Sequence, residues 1–204
     1  MTAEQQNPAM IIFIKNPEKG KVKTRLAASL GDDEALRIYL ELCNHTRRTA
    51  LQVTAARFLF YSDWTPENDD WPAQFFMKKK QTEADLGARM EAAFAEVFQT
   101  HAPVLIIGSD CPGLSSDIIG QAFEQLTRSD FVIGPAADGG YYLLGMQNFE
   151  PFVFKNMSWS HENVLRDTLQ KISVAGKTCF LLPELTDIDT VDDWAKFGGE
   201  FLTE

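Results

Sequence analysis

The feature that most constrains this chain is an unbroken aliphatic run, Val104-Leu105-Ile106-Ile107, that stops at Gly108-Ser109-Asp110-Cys111-Pro112-Gly113. Four consecutive apolar residues, a turn and a helix-like segment from Ser115 read as a central parallel strand buried on both faces. A strand of that kind needs pairing partners and a helical layer on each side, which points to an open α/β sheet. Ligands of open sheets bind at the carboxyl ends of the strands, and Asp110 stands at that end. The structural alternative for Asp110 is a cap on the turn before Pro112.

The remaining pattern agrees with an α/β chain. Met10–Ile14, Arg57–Tyr61, Phe75–Met77, Phe131–Ile133, Tyr141–Met146 and Thr178–Leu182 read as strands. Helices are expected over Asp32–Val53 after a Gly31 break, Leu86–Phe98, Ser116–Thr127, and His161–Val174 with Ser160 in front and Gly176 behind. A last short helix opens at Thr190. Residues 15–30 read as a flexible loop and Ser62–Pro72 as a surface loop. Strands alternating with helices predict a mostly parallel sheet with helices on both faces. A length of 204 residues suits one domain, with its core over about residues 9–198, and neither a boundary nor an internal repeat is visible.

Charge and cysteine usage narrow the function. A formal net charge of -10 argues against broad nucleic-acid or membrane-surface binding, since both need a positive field. No apolar stretch approaches the roughly 20 residues that span a bilayer. Met1 to Pro8 lacks the basic start and apolar middle of a secretory signal, so the expected location is cytoplasmic. Cys43, Cys111 and Cys179 are odd in number and far apart, which suits neither a disulfide framework nor a thiolate zinc site.

A small anionic ligand needs only local cations. Lys15, Lys19, Lys21, Lys23 and Arg25 fall in one short stretch against a single acid, Glu18. A solvated basic loop is the plain alternative. Two familiar phosphate cradles do not fit: the position where a P-loop needs its first glycine holds Lys15, and between Lys15 and Leu30 a dinucleotide fingerprint would have only Gly20. What remains is an arm that meets phosphate with charge, Arg25 able to grip two oxygens and the lysines acting as point charges.

Four segments occur in order: Lys15-Asn16-Pro17-Glu18-Lys19-Gly20-Lys21-Val22-Lys23-Thr24-Arg25-Leu26, Gly108-Ser109-Asp110-Cys111-Pro112, Asp138-Gly139-Gly140-Tyr141-Tyr142 and Asp187-Ile188-Asp189-Thr190-Val191-Asp192-Asp193. Together they resemble the nucleotide-diphospho-sugar transferase superfamily of GT-A fold, in particular its small bacterial glycosyltransferase-like family associated with arsenosugar biosynthesis. The resemblance implies a single-domain three-layer α/β/α sandwich with a mostly parallel mixed sheet. It implies that Lys15, Lys19, Gly20, Lys23 and Arg25, with Gly108 and Ser109, hold a nucleotide's phosphates. Asp110 would bind Mg²⁺ or Mn²⁺, with Asp189 as second ligand and Asp187 close behind, and Arg25 and Asp110 would be the catalytic pair. Arg89, which opens a helix whose amide end can meet an anion, would contact the sugar or acceptor together with Asp138, Gly139, Gly140 and Tyr141.

The activity so implied is metal-dependent glycosyl transfer from a nucleotide-diphosphate sugar to a small-molecule acceptor. Two rivals remain: a nucleotidyltransferase joining a nucleoside triphosphate to a phosphorylated small molecule, and a nucleotide-binding module without turnover. The chain departs from the usual patterns in two places. Ser109 and Cys111 flank Asp110 where many GT-A enzymes carry paired aspartates, and Thr24-Arg25 matches only the centre of the Gly-x-Gly-Thr-Arg signature of sugar nucleotidyltransferases. Structural alternatives stand beside several assignments: Asp189 as part of a helix N-terminus with Asp192 and Asp193, Asp138-Gly139-Gly140 as a hairpin turn, Arg89 as a surface arginine. His161 reads as an acceptor base or a cap, Trp159 as a stacking ring or a buried one.

Overall fold

The computed structural model describes residues 7–201, so most of the amino-terminal Met1 to Pro8 segment lies outside the described residues. Strand β1 (Ala9–Ile14) pairs in parallel with β2 (Ala56–Tyr61) on one side and β4 (Val104–Ile107) on the other. Beyond β2 lies β3 (Met77–Lys80), and beyond β4 lies β6 (Tyr141–Met146), which runs antiparallel to both β4 and β5 (Phe131–Pro135). β7 (Cys179–Leu181) closes the far edge parallel to β5. The seven strands stand in the order β3-β2-β1-β4-β6-β5-β7, a mixed and mostly parallel sheet.

Alternation along the central strands explains why both faces are covered. Met10, Ile12, Ile14, Leu105 and Ile107 point to the layer formed by α2 (Asp32–Leu51) and α4 (Ser116–Gln125). Ala9, Ile11, Val104 and Ile106 point to the layer formed by α3 (Leu86–Val97), α5 (Val164–Val174) and a 3₁₀ turn over Pro151–Phe154. All four residues of β4 are buried, as its unbroken apolar run requires. A smaller cluster joins α1 (Thr24–Leu30) and α2 to Ile188 and α6 (Val191–Phe201). None of the described helices is long and apolar enough to cross a membrane.

Four sequence expectations need correction. The stretch expected to be a wholly flexible loop contains α1, whose first turn carries Thr24 and Arg25. Lys23 precedes it in the left-handed region, at φ 47° and ψ 45°, which costs energy for a residue with a Cβ and holds only where the surroundings fix it. The third strand is Met77–Lys80 rather than Phe75–Met77: Phe76 is buried edge-on against Trp71, 4.9 Å between centroids, while the lysines form a charged outer strand that resists further pairing. α5 begins at Val164, not at His161, and Ser160 is not its cap. Gly176, at φ 67°, does follow its carboxyl end. The 3₁₀ turn at Pro151–Phe154 was not expected at all.

Candidate functional site

The direction of strand order reverses between β1, whose crossover leads to β2, and β4, which pairs on the opposite side. Loops leaving two such strands diverge, and the gap between them is where open sheets hold ligands. A cleft of about 1080 Å³ opens there, lined among others by Lys15, Lys21, Lys23, Arg25, Asp110 and Asp189. The start of the basic arm is fixed from behind. The Tyr39 hydroxyl of α2 accepts from the Lys15 amide at 2.8 Å and donates to the Lys15 carbonyl at 2.9 Å. The buried Asn16 side chain donates to Trp64 O and accepts from the Asp63 amide, tying the arm to the loop after β2.

The arm then turns back on the end of β4. Lys23 Nζ lies 2.8 Å from Asp110 Oδ1 and 3.4 Å from Asp189 Oδ1, and donates to the Ile188 carbonyl at 2.6 Å. Arg25 Nη1 reaches Asp189 Oδ2 at 3.4 Å. A backbone bond from the Ile188 amide to the Asp110 carbonyl, 2.9 Å, holds the late segment against the β4 turn. Burial works to lower the Lys23 pKa, but Asp110 and then Asp189 outweigh it, and the net shift is upward. The ammonium therefore stays charged and shielded from water.

Asp187 lines the same cleft, two residues before Asp189 on the segment that packs against the β4 turn. Burial first, then the charges of Asp110 and Asp138, push its carboxyl up to about 7. Four acids from three segments, Asp110, Asp138, Asp187 and Asp189, thus line one region, into which Lys23 inserts its ammonium. Among the described residues no group of three or more His, Cys, Asp or Glu side chains is arranged to hold a metal ion by itself.

The deeper end of the cleft differs in character. Gln81, placed by bonds to the carbonyls of Ile14 and Phe60, accepts from Arg89 Nη1 at 3.3 Å. Arg89 Nε and the Tyr141 hydroxyl line this end and are buried without a protein partner. Trp159 lies partly buried over the first turn of α3, where a Cβ on Gly87 would come within 2.1 Å of its Nε1. His161 has both ring nitrogens engaged locally, Nδ1 by the Asn163 amide and Nε2 against Ser158 O. It serves the turn before α5.

The comparisons with known proteins follow this geometry. Residues 45–161 match a family described as uncharacterized protein conserved in bacteria (DUF2064). A crystal structure from Desulfovibrio desulfuricans G20, of a protein provisionally named a nucleotide-diphospho-sugar transferase, is 31% identical, covering 96% of this chain and 89% of that one with a TM-score of 0.85. The chain belongs to the DUF2064 family. No curated protein matches it. Two more distant structures share the fold. CMP:2-keto-3-deoxy-manno-octonic acid synthetase complexed with CTP covers 97% of this chain and 99% of its own at 11% identity and a TM-score of 0.61. Rv0371c of Mycobacterium tuberculosis H37Rv, in complex with manganese, covers 95% and 98% at 12% identity and 0.51.

In this DUF2064 chain the expected site residues do not all converge. Lys15, Lys23, Arg25, Ser109, Asp110, Asp189, Arg89, Asp138, Gly140 and Tyr141 line the one cleft. Gly108 is there too, with open space where its Cβ would be. Lys19 instead pairs with Asp33 at 2.6 Å on the outer surface, and Gly20 forms the turn beside Asp32. Lys21 takes the cleft wall in their place. Gly139 acts behind the wall: at φ 88° its absent Cβ leaves room for the Glu162 carbonyl, and its own carbonyl accepts from the Leu165 amide. Gln81 and Tyr39 carry no motif signal, because their roles depend on strands and helices that meet only in the fold. Burial pushes the Cys43 thiol up to about 12 and raises Cys111 and Cys179 as well, which disfavours their thiolates.

Proposed function

We propose that this protein is a metal-assisted glycosyltransferase that takes a nucleotide-diphosphate sugar and releases the nucleoside diphosphate. The observation that carries the reading is the facing of Lys23 and Arg25 against Asp110 and Asp189 across one cleft at the ends of β1 and β4. Arg25, with a side chain 76% exposed, is free to turn from Asp189 to a phosphate. As the bond from the anomeric carbon to the diphosphate breaks, negative charge grows on the leaving oxygens, and fixed cations stabilise it without proton transfer. Lys15 and Lys21 extend the same positive wall.

The donor set suits a hard divalent cation in part. Two carboxylates and the Ile188 carbonyl converge on one point, and Mg²⁺ or Mn²⁺ commonly takes one or two carboxylates together with substrate phosphates. Asp110 and Asp189 would hold the metal, which when bound supplies Lewis-acid neutralisation of the diphosphate. The manganese complex of the mycobacterial fold relative supports the choice of ion. Arg89 Nε and the Tyr141 hydroxyl await polar partners at the deep end, so the sugar or acceptor belongs there, with Asp138 at the rim.

The second reading is nucleotidyl transfer, favoured by Thr24-Arg25 on the first turn of α1 beside the cleft and by the shared fold of the CTP-bound synthetase. Products decide between them. Release of a nucleoside diphosphate from a sugar nucleotide supports the first; release of pyrophosphate from a nucleoside triphosphate and a phosphorylated small molecule supports the second. In either case Asp110→Ala should abolish metal-dependent nucleotide binding.

A further inference from the structure

The pair of acids assigned to the metal already has a cation. Lys23 Nζ touches both carboxylates and the Ile188 carbonyl, so one ammonium satisfies oxygens from two chain segments brought together at the β4 end. Its side chain is 4% exposed, whereas those of Asp110 and Asp189 are 46% and 40% exposed. The cation is thus inserted beneath the carboxylates rather than resting on them from solvent. Lys23 holds this position from a left-handed backbone at the entry to α1, whose first turn carries the exposed Arg25. Val22 beside it is buried and anchors the turn.

We infer that Lys23 is the resident cation of the Asp110–Asp189 pair, and that it keeps divalent metal off the pair until a phosphate chain draws the ammonium away. The inference rests on the metal role proposed above. Electrostatics supports it: a divalent ion arriving at the free protein meets two carboxylates already neutralised in part by a cation 2.8 Å from one of them, and like-charge repulsion opposes its entry. A diphosphate changes the balance, because it offers Lys23 new oxygens and brings the metal ligands of its own. Metal and nucleotide then bind with positive coupling, each raising the affinity of the other by the same factor.

The test is Mn²⁺ binding followed by electron paramagnetic resonance, with the wild type, Lys23→Met and Asp110→Asn, first without nucleotide. The expected result is weak binding by the wild type, no different from Asp110→Asn, and binding at least tenfold tighter by Lys23→Met. Wild-type binding as tight as that of Lys23→Met, or tight wild-type binding that Asp110→Asn removes, overturns the inference. Circular dichroism checks the fold of Lys23→Met; if that variant does not fold, the comparison of wild type with Asp110→Asn decides alone. The second stage repeats the wild-type titration with UDP, CDP, GDP or ADP, where at least one nucleotide is expected to tighten Mn²⁺ binding tenfold beyond what the nucleotide binds by itself. If none does while Lys23→Met still gains Mn²⁺, release by a phosphate chain and the glycosyltransferase reading both fail, and only the part of the inference that has Lys23 keep metal off the acid pair stands.

Discussion

Lys23 Nζ lies 2.8 Å from Asp110 Oδ1, yet the lysine side chain is 4% exposed and the aspartate 46%. The two ends of one ion pair therefore differ in what their loss leaves behind. Removing the carboxylate leaves a buried ammonium with only the Ile188 carbonyl and the longer contact to Asp189, whereas removing the ammonium leaves a carboxylate that water can reach. Asp110→Ala should destabilise by about 1–3 kcal/mol, and Lys23→Met by less, about 1 kcal/mol or below, because methionine keeps the buried stem. Urea denaturation at neutral pH checks the order; equal losses would mean that the pair is solvated at both ends.

Asp187 gives a pH dependence of the opposite kind to a salt-bridged acid. Its folded pKa, pushed up to about 7 by burial and by Asp110 and Asp138, exceeds its ordinary value of 3.8. The folded protein holds that proton more tightly than the unfolded chain, so the stability it contributes is present below about pH 4 and is lost as pH rises toward 7. Asp187→Asn should then be more stable than the wild type at pH 8, by about 1–3 kcal/mol after screening by the open cleft, and equal to it at pH 4. Urea midpoints at the two pH values measure this. A loss of stability at pH 8 would show that the carboxylate is paired.

Asp130 works with the ordinary sign. Its carboxylate accepts from the Thr178 amide at 2.9 Å and the Thr178 hydroxyl at 2.8 Å and pairs with Lys177, which clamps the entry of β7 against β5. The Thr178 amide above all lowers its pKa, so the stability is present above the unfolded value and lost as pH falls through the folded one. Asp130→Asn should cost about 1 kcal/mol at pH 7 and nothing near pH 2. Thermal melts across that range test it, and a pH-independent difference would assign the effect to something other than the charge.

Much of this could be read in the chain, for reasons that differ by element. β4 and its turn were legible because a strand buried on both faces leaves an unbroken apolar run, and Asp110 follows it directly. α1 was not, because among its seven residues only Leu26 is buried, so no apolar period marks it. β3 was misplaced because Phe75 and Phe76 look like a strand, while the paired residues are the lysines of an edge. Among the site residues, the resemblance implied a basic arm facing Asp110 across a cleft, but not that Lys23 itself would pair with Asp110 and Asp189. That Lys19 faces Asp33 and Lys21 the cleft depends on the course of the turn around Gly20, which composition does not encode. The elevation of Asp187 arises only when Asp110 and Asp138 come near it.

Two glycines in the left-handed region separate backbone preference from packing. A Cβ at Gly139 would stand 2.0 Å from the Glu162 carbonyl, whereas at Gly20 the nearest atom would be 3.7 Å away. Gly139→Ala should cost about 3 kcal/mol and disturb the wall that carries Asp138 and Tyr141, and Gly20→Ala only about 1 kcal/mol. Melting temperatures rank the two. Similar losses would mean that the Glu162 segment moves aside freely.

The central claim, that the basic arm and Asp110 share one nucleotide-diphosphate site, is tested most directly by calorimetry of nucleoside diphosphates with and without Mn²⁺, on the wild type and Arg25→Ala. The account predicts wild-type binding that Mn²⁺ tightens at least tenfold and an Arg25→Ala variant weakened by at least tenfold. Binding unchanged by Mn²⁺ and by Arg25→Ala, or no binding by any nucleoside diphosphate, would contradict it.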